Sequence, residues 1–404
     1  MLYFFEHPFA FPPSSWYNWF MKTRKTIDVE NIAYKFRILP EAIHTEYYFP
    51  RWFGCRRFLW NRMLADKSDF YKIMGFGLKN EVTDYKDEYT FLNEVDSLVL
   101  ANTKLDLSKA FENFFKGKAQ YPRFKKKSSR QTFTTNIAST GAKNLRYDEG
   151  SCLLKLPKIK EPVRVVQHRK IKAGGILKSA TISRDPDGRY YASLLYEYPK
   201  STMHNSIDKS KSVGLDMSME HFFVDHNGDA TDYPRFYRAM ESCLAKEQAK
   251  LSLMKKGSNN YRKQKHRIAK LHAKIKHQRS DFLHKLSYNL VQNYDIICIE
   301  DLNMKAMSRS LDLGKSVHDL GWGMFVSMLE YKCRKFGKVL IKVDRFFPSS
   351  KTCGACGYVN KGLKLSDRLF VCPKCGHLID RDWQAAINIL DEGLRIYNDN
   401  LVAA

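Results

Sequence analysis

Ile32, Tyr34, Phe36 and Ile38 alternate with Ala33, Lys35 and Arg37, a period of two that predicts a half-buried strand stopped at Pro40. From about residue 41 to 118 that period is lost. FPRWFGCRRFLWNRMLADKSDFYKIMG spaces its apolar positions as a helix does and carries an aromatic, basic face. LDLSKAFENFFKGK predicts a second helix, closed by Gly117. Between residues 131 and 200 the alternation returns. There ILKSATISRDPDGRYYASLLYEYP predicts a hairpin that turns at Asp185-Pro186-Asp187-Gly188. A strand, a helical excursion and then several strands predict a β-barrel interrupted by a helical insert.

Residues 200–212 are polar and serine-rich, as a linker is, and a new domain is expected from Val213. VGLDMSMEHFFVDHNGDA reads as strand, Asn227-Gly228 turn, strand. Residues 235–292 predict long helices, with a core stripe of Ile268, Leu271, Ile275, Phe282, Leu286 and Leu290 on an otherwise charged surface. DIICIED is a buried strand ending on acids, GWGMFVSMLEYKCRKFG a helix closed by Gly337, and KVLIKVD a further strand. Strands alternating with helices after an opening hairpin indicate an α/β domain with a mixed sheet. The chain as a whole therefore reads as a multidomain α+β protein.

Charge changes this picture most. Lys and Arg number 68 against 43 Asp and Glu, a net charge of +25 over 404 residues. That imbalance favours a polyanionic partner, most often nucleic acid. A membrane is disfavoured, because no stretch approaches the roughly 20 apolar residues of a spanning helix. The run Tyr121 to Arg130 interleaves Tyr121 and Phe124 with lysines and arginines, as a segment that stacks bases and meets phosphates does; a solvated loop is the plainer reading. Arg56, Arg57, Lys125 and Arg130 are the candidate nucleic-acid contacts. Lys and Arg on the helices of 235–292 form either a solvated face or a phosphate track, and the overall charge favours the track.

Cys353, Cys356, Cys372 and Cys375 form two C-x-x-C pairs with fifteen residues between them. That spacing is the sequence form of a closed tetrahedral zinc site, four thiolates on one structural Zn²⁺. Each pair is followed by a glycine, Gly357 or Gly376, which lets the knuckle turn. The other five of the nine cysteines are scattered singly, as in a reducing compartment. Residues 1–20 lack the features of a signal peptide, and Met21 looks the more natural start, so they are expected to be peripheral to the fold.

Three acids complete the chemistry. Asp216 interrupts an apolar strand, Glu300 ends another, and Asp382 opens the C-terminal helix. Singly, these residues read as a strand-end cap, a salt-bridge partner and a helix N-terminal carboxylate. Jointly, in the strand, strand, helix order of an RNase H-like nuclease, they favour a divalent-metal site. Carboxylate oxygens suit Mg²⁺, and two ions about 3.5–4 Å apart would serve an in-line phosphodiester displacement. Neighbouring Asp301 and Asp380 are expected to be bystanders. Sequences typical of serine hydrolases, zinc proteases and P-loop enzymes are lacking.

Together these residues resemble the TnpB family, transposon-encoded RNA-guided DNA endonucleases related to compact type V CRISPR effectors. The resemblance runs from about residue 31 to about 392, through blocks such as YKFRILP, FGCRRFLWN, GLDMSMEHFFV, IEDLNMKAM, DRFFPSSKTCGACG and RLFVCPKCGHLIDRDWQAAINI. It implies a wedge β-barrel domain over residues 21–205 with a helical recognition insert near 41–118. A RuvC nuclease domain would follow over 206–350 and 378–404, interrupted by a zinc-ribbon insert over 351–377. It further implies a guide RNA, a target DNA, a bacterial or archaeal cytoplasm, and catalysis by Asp216, Glu300 and Asp382 on Mg²⁺. Arg368 matches a family arginine near the scissile strand. The oligomeric state is left open by the sequence, with a monomer favoured because one chain of this size is enough to cover a heteroduplex. One departure is Gln384, where the family usually has Asn two residues after the third acid; the longer reach would shift a supporting hydrogen bond.

Overall fold

The alternation over the first strand is realised in the computed structural model, which describes residues 29–75, 77–137, 144–199, 206–310, 314, 319–364 and 367–402. The expectations for residues 1–20 and Met21, and the first half of the linker, lie outside these. In β1 (Val29–Leu39), Tyr34, Phe36 and Ile38 are buried while Lys35 and Arg37 are exposed. The chain separates into two units, residues 1–201 and 202–404.

In the first unit β1 leads into a π-helical turn (Ile43–Tyr48) continuous with α1 (Phe49–Met74), then α2 (Val82–Glu88) and α3 (Ser97–Phe115). Strands follow: β2 (Gln131–Asn136), β3 (Arg146–Asp148), β4 (Leu153–Lys155), β5 (Val163–Val166), β6 (Ile176–Arg184) and β7 (Tyr190–Pro199). The β6–β7 hairpin turns where Gly188 adopts φ 81° and donates its N–H to the Asp185 carbonyl at 2.9 Å.

Here the barrel expectation is met only in part. The sheet order is β2-β6-β7-β1-β5-β4-β3, and the two end strands do not pair with each other, so the described strands form an open sheet and not a closed barrel. Closure needs strands of matched length and consistent stagger. β3 and β4 have only three residues each and β5 four. Helices instead cover the sheet near β2, where Phe133 packs against Phe49, Trp52 and Phe53 of α1 at ring separations of 4.9–5.8 Å.

The second unit runs β8 (Ser212–Met217), β9 (Phe223–Asp225), β10 (Ala230–Thr231), α4 (Phe236–Ser252), α5 (Asn259–Asn293), β11 (Ile296–Glu300) and α6 (Met304–Ser310). It continues with α7 (Trp322–Phe336), β12 (Val339–Val343), β13 (Leu369–Val371), β14 (Leu378–Asp380) and α8 (Arg381–Val402). Its main sheet is mixed, in the order β10-β9-β8-β11-β12, with β8, β11 and β12 parallel. Val213, Leu215, Ile297 and Ile299 project to one face and pack with α5 and α7. Ile296, Cys298, Ile341 and Val343 project to the other and pack with α8 through Ile389. Within the predicted stripe of α5, Ile268, Ile275 and Leu290 are buried and Leu271, Phe282 and Leu286 partly so. α7 ends where Gly337 turns left-handed, φ 64°, a conformation glycine adopts without steric cost.

Candidate active site

Asp216 and Glu300 are neighbours because their strands are. β8 and β11 pair in the register Gly214–Cys298 and Leu215–Ile299, so the next residues in each lie side by side at the strand ends. Alternation fixes their face: Leu215 and Ile299 point towards α5 and α7, which leaves Asp216 and Glu300 on the α8 side with Cys298.

Asp382 reaches the same face from α8. Asp380 caps that helix, its Oδ1 accepting the N–H groups of Asp382 at 2.9 Å and Trp383 at 3.0 Å. Helix and sheet approach closely through two glycines. A Cβ on Gly214 would stand 2.7 Å from the Leu390 Cβ, and one on Gly393 would stand 2.7 Å from the Cys298 Cβ. A side chain at either position would force its neighbours to shift.

The electrostatics record this convergence. Burial holds the Asp216 carboxyl well above the ordinary range, and the Glu300 and Asp382 carboxylates raise it further, while Arg381 opposes them. Glu300 is also raised by burial, against a hydrogen bond from Ser349. Two carboxyls held above their ordinary range beside a third carboxylate are a set of hard oxygens of the kind that suits a divalent cation. Ser218 Oγ donates to Asp382 Oδ2 at 3.3 Å, and Arg381 Nη2 lies 3.5 Å from Oδ1. Arg368, largely exposed, extends its guanidinium to 3.8 Å from Asp382 and 3.9 Å from Glu220. Asp301 is held elsewhere by Arg345.

The sulfurs converge more tightly. Among the described residues, Cys353, Cys356, Cys372 and Cys375 are the one group of potential metal ligands whose donor atoms all lie within 4.8 Å of one another. The two knuckles repeat one geometry: Gly357 N–H donates to the Cys353 carbonyl and Gly376 N–H to the Cys372 carbonyl, each at 2.9 Å, with φ 69° and 74°. Burial opposes ionisation of Cys372, yet backbone amides of Cys375 and Lys374 and the neighbouring thiols bring it down to about 6. Cys375, sharing protons with the same neighbours, is pushed the other way. Four sulfurs this close cannot all be thiolates without a cation among them, which is the donor set of a structural zinc.

In the first unit Arg56, Arg57, Lys125 and Arg130 line one surface pocket beside Phe53 and Gln131. Asn61 orients the segment, accepting the Lys125 N–H at 2.7 Å and donating to its carbonyl at 2.9 Å. Lys125 Nζ lies 3.4 Å from the centre of the Trp60 ring, and Arg56 is paired with Asp106 at 2.6 Å. Burial and the Arg56 charge lower Lys125 to about 8.

This chain is 35% identical over 371 residues to a Streptomyces pristinaespiralis protein named RNA-guided DNA endonuclease, covering 90% of this chain and 89% of that one. The chain belongs to the TnpB family. A second TnpB relative, Escherichia coli InsQ, also named RNA-guided DNA endonuclease, is 29% identical over 89% of this chain and 92% of its own length. Residues 193–311 match the family described as "Probable transposase", and residues 322–389 the "Cas12f1-like, TNB domain". Residues 30–75 match a helix-turn-helix domain, although in this TnpB protein they hold one strand and a helix continuous through its π-helical start. The fold is shared with the protein in a Cas12f1-sgRNA-target DNA complex at TM-score 0.57 and 14% identity, covering 89% of this chain and 98% of that one.

In this TnpB chain the hydrogen-bond partner of the Gln384 amide is Asn388, not one of the three carboxylates. Gln384 is buried, with its amide donating to Asn388 Oδ1 at 3.3 Å and packed against Gly354 of the first knuckle. Ser349, Ser218 and Asn388 are site neighbours that sequence reasoning missed. Each is a polar residue of ordinary type, and only its burial and partners mark it.

Proposed function

We propose that this TnpB chain is an RNA-guided DNA endonuclease whose nuclease centre is Asp216, Glu300 and Asp382. The observation that carries the reading is the side-by-side placement of Asp216 and Glu300 on the face that α8 supplies with Asp382. The names of the S. pristinaespiralis and E. coli relatives support the guided activity. The Cas12f1 complex, which holds sgRNA and target DNA, supports guide RNA and target DNA as partners.

The three acids would hold Mg²⁺. Magnesium bound there supplies Lewis-acid activation of water and neutralises charge on the departing 3′ oxygen. The chain's own groups do the rest. Ser349 fixes Glu300, Ser218 fixes Asp382, and Arg368 extends a positive charge where a scissile phosphate would lie. The second unit is read as a RuvC-type nuclease domain, with residues 351–377 as its zinc ribbon. The first is read as a wedge domain carrying α1 to α3 as its recognition insert. Its pocket of Arg56, Arg57, Lys125 and Arg130 combines fork-shaped and point-like donors suited to phosphates and base edges. No described helix is long and apolar enough to cross a membrane.

A nuclease-inactive, RNA-guided DNA-binding regulator is the alternative, and the presence of all three acids weighs against it. The test is to purify the protein with its native flanking locus, sequence the RNA that co-purifies, and challenge the complex with a plasmid library randomised beside the target. Defined RNA and Mg²⁺-dependent cuts beside one short motif, lost with EDTA and with Asp216→Ala, are expected. Binding without cuts would turn the reading to the regulator, and cutting that survives Asp216→Ala would refute the site.

A further inference from the structure

Glu300 is held by a turn that also begins the first zinc knuckle. Ser349 is buried, and its Oγ donates to Glu300 Oε1 at 2.6 Å. Ser349 starts a 3-10 turn (Ser349–Lys351) that runs through Thr352 directly into Cys353. Both ends of that turn are clamped by one side chain. The buried Asn388 amide donates to the carbonyl of Ser349 at 2.6 Å and to that of Thr352 at 2.7 Å. Asn388 is in turn held by Gln384, whose amide nitrogen would stand 2.5 Å from a Cβ on Gly354. Cys353 closes the path, its N–H donating to the Tyr358 carbonyl across the knuckle at 2.9 Å.

We propose that Ser349 is a positioning residue for Glu300, and that Asn388, by clamping the Ser349–Thr352 turn, ties that carboxylate's orientation to the first zinc knuckle. A carboxylate at a strand end has freedom about its side-chain torsions, and a short hydrogen bond to one oxygen removes much of it. Ser349 is suited to the task because its own backbone is fixed on both sides: its N–H donates to the Phe347 carbonyl at 2.8 Å, and its carbonyl accepts from Asn388. Asn388 is suited because only a carboxamide can donate to two carbonyls while its oxygen accepts from Gln384. The zinc knuckles thereby serve the nuclease centre as a brace. This rests on the reading of Glu300 as a ligand of the nuclease metal.

The experiment compares wild type with Ser349→Ala, Ser349→Thr, Asn388→Ala and Glu300→Gln. For each, the RNA-loaded complex is assayed for kcat and KM. Full-length chain freed of RNA is measured for Mn²⁺ binding by calorimetry, with zinc content and melting temperature as controls. Partners that orient metal ligands are worth roughly 10–100-fold in metal affinity or activity when removed. Ser349→Ala is therefore expected to lower kcat and weaken Mn²⁺ binding by about tenfold or more, with KM, zinc content and melting temperature near wild type. Ser349→Thr, which keeps the hydroxyl, is expected to recover most of both. Asn388→Ala combined with Ser349→Ala is expected to lose little beyond the worse single variant, as residues acting in one chain of contacts do. Wild-type Mn²⁺ binding and kcat in Ser349→Ala, beside an inactive Glu300→Gln, would overturn the positioning role alone. Loss of activity in Ser349→Ala accompanied by loss of zinc or of melting temperature would overturn it in favour of a purely structural turn. An active Glu300→Gln would overturn the underlying reading of the site.

Discussion

Asp216 and Glu300 stand one register position beyond the Leu215–Ile299 pair, at the ends of adjacent parallel strands and on the face that α8 covers. Glu300 in that relationship, together with Asp382, raises the affinity of Asp216 for its proton beyond what burial does. The site is assembled at a cost in stability that a bound metal would offset.

Asp216→Asn tests this. Because the folded-state pKa of Asp216 is raised, the folded chain binds more protons than the unfolded one between the ordinary and the raised value. Stability is therefore lost as pH rises above the ordinary carboxylate value towards the raised one. In EDTA at neutral pH, Asp216→Asn is expected to melt higher than wild type by roughly 2–4 °C, the shift for about 1 kcal/mol in a unit of this length. The gain should shrink as the pH is lowered to about 4, near the ordinary carboxylate value, while cleavage is abolished at every pH. Calorimetric melting from acid to neutral pH reads the first effect, and a plasmid nicking assay the second.

Gly214→Ala addresses the contact that brings α8 to the sheet. The new methyl would meet the Ala386 carbonyl and stand 2.7 Å from the Leu390 Cβ, so helix and strand must separate. Overpacking of this kind costs roughly 1–3 kcal/mol, and more where backbone is in the way. Urea unfolding is expected to show that loss. Cleavage should fall further than the stability change explains, because Asp382 moves with the helix.

The four-cysteine cluster predicts about one zinc per chain by elemental analysis. Cys372→Ser should lose that zinc and lower the melting temperature, since structural zinc contributes directly to folding. Through the Ser349–Asn388 contacts, cleavage is expected to fall in the same variant even at saturating Mg²⁺.

Lys125 offers a pH-dependent prediction in the first unit. Its charge is lost as pH rises through about 8, so affinity for RNA should decline across that value at fixed ionic strength. Lys125→Arg should flatten that decline, because guanidinium keeps its proton throughout. Fluorescence anisotropy with a labelled RNA reads both. Arg57→Ala, by contrast, should weaken binding on both sides of that pH and shallow the salt dependence by about one phosphate contact.

Much of this protein is written in local order along the chain. Alternation over residues 32–38 and the Asp185–Gly188 turn specify their strands, because a side chain's face follows from its place in a period of two. The paired C-x-x-C knuckles specify a metal site, because each knuckle is closed by its own neighbouring residues. Helix α3 is legible only in part. It begins at Ser97, where the apolar Leu98-Val99-Leu100 suits a strand as well as a helix, and packing against β2 decides the matter. Sheet closure is not legible, since it depends on the lengths of β3, β4 and β5 and on whether helices occupy the open side. Nor are the roles of Ser349, Asn388 and Gln384. Hydrogen bonds linking residues 300, 349 and 388 are set by how strand, turn and helix dock, and no local pattern encodes a partner that far along the chain. Reading the chain residue by residue therefore tells which acids and thiols are available and on which element each stands. Which of them share a face is settled only on folding, because register and close packing join segments that lie far apart in sequence.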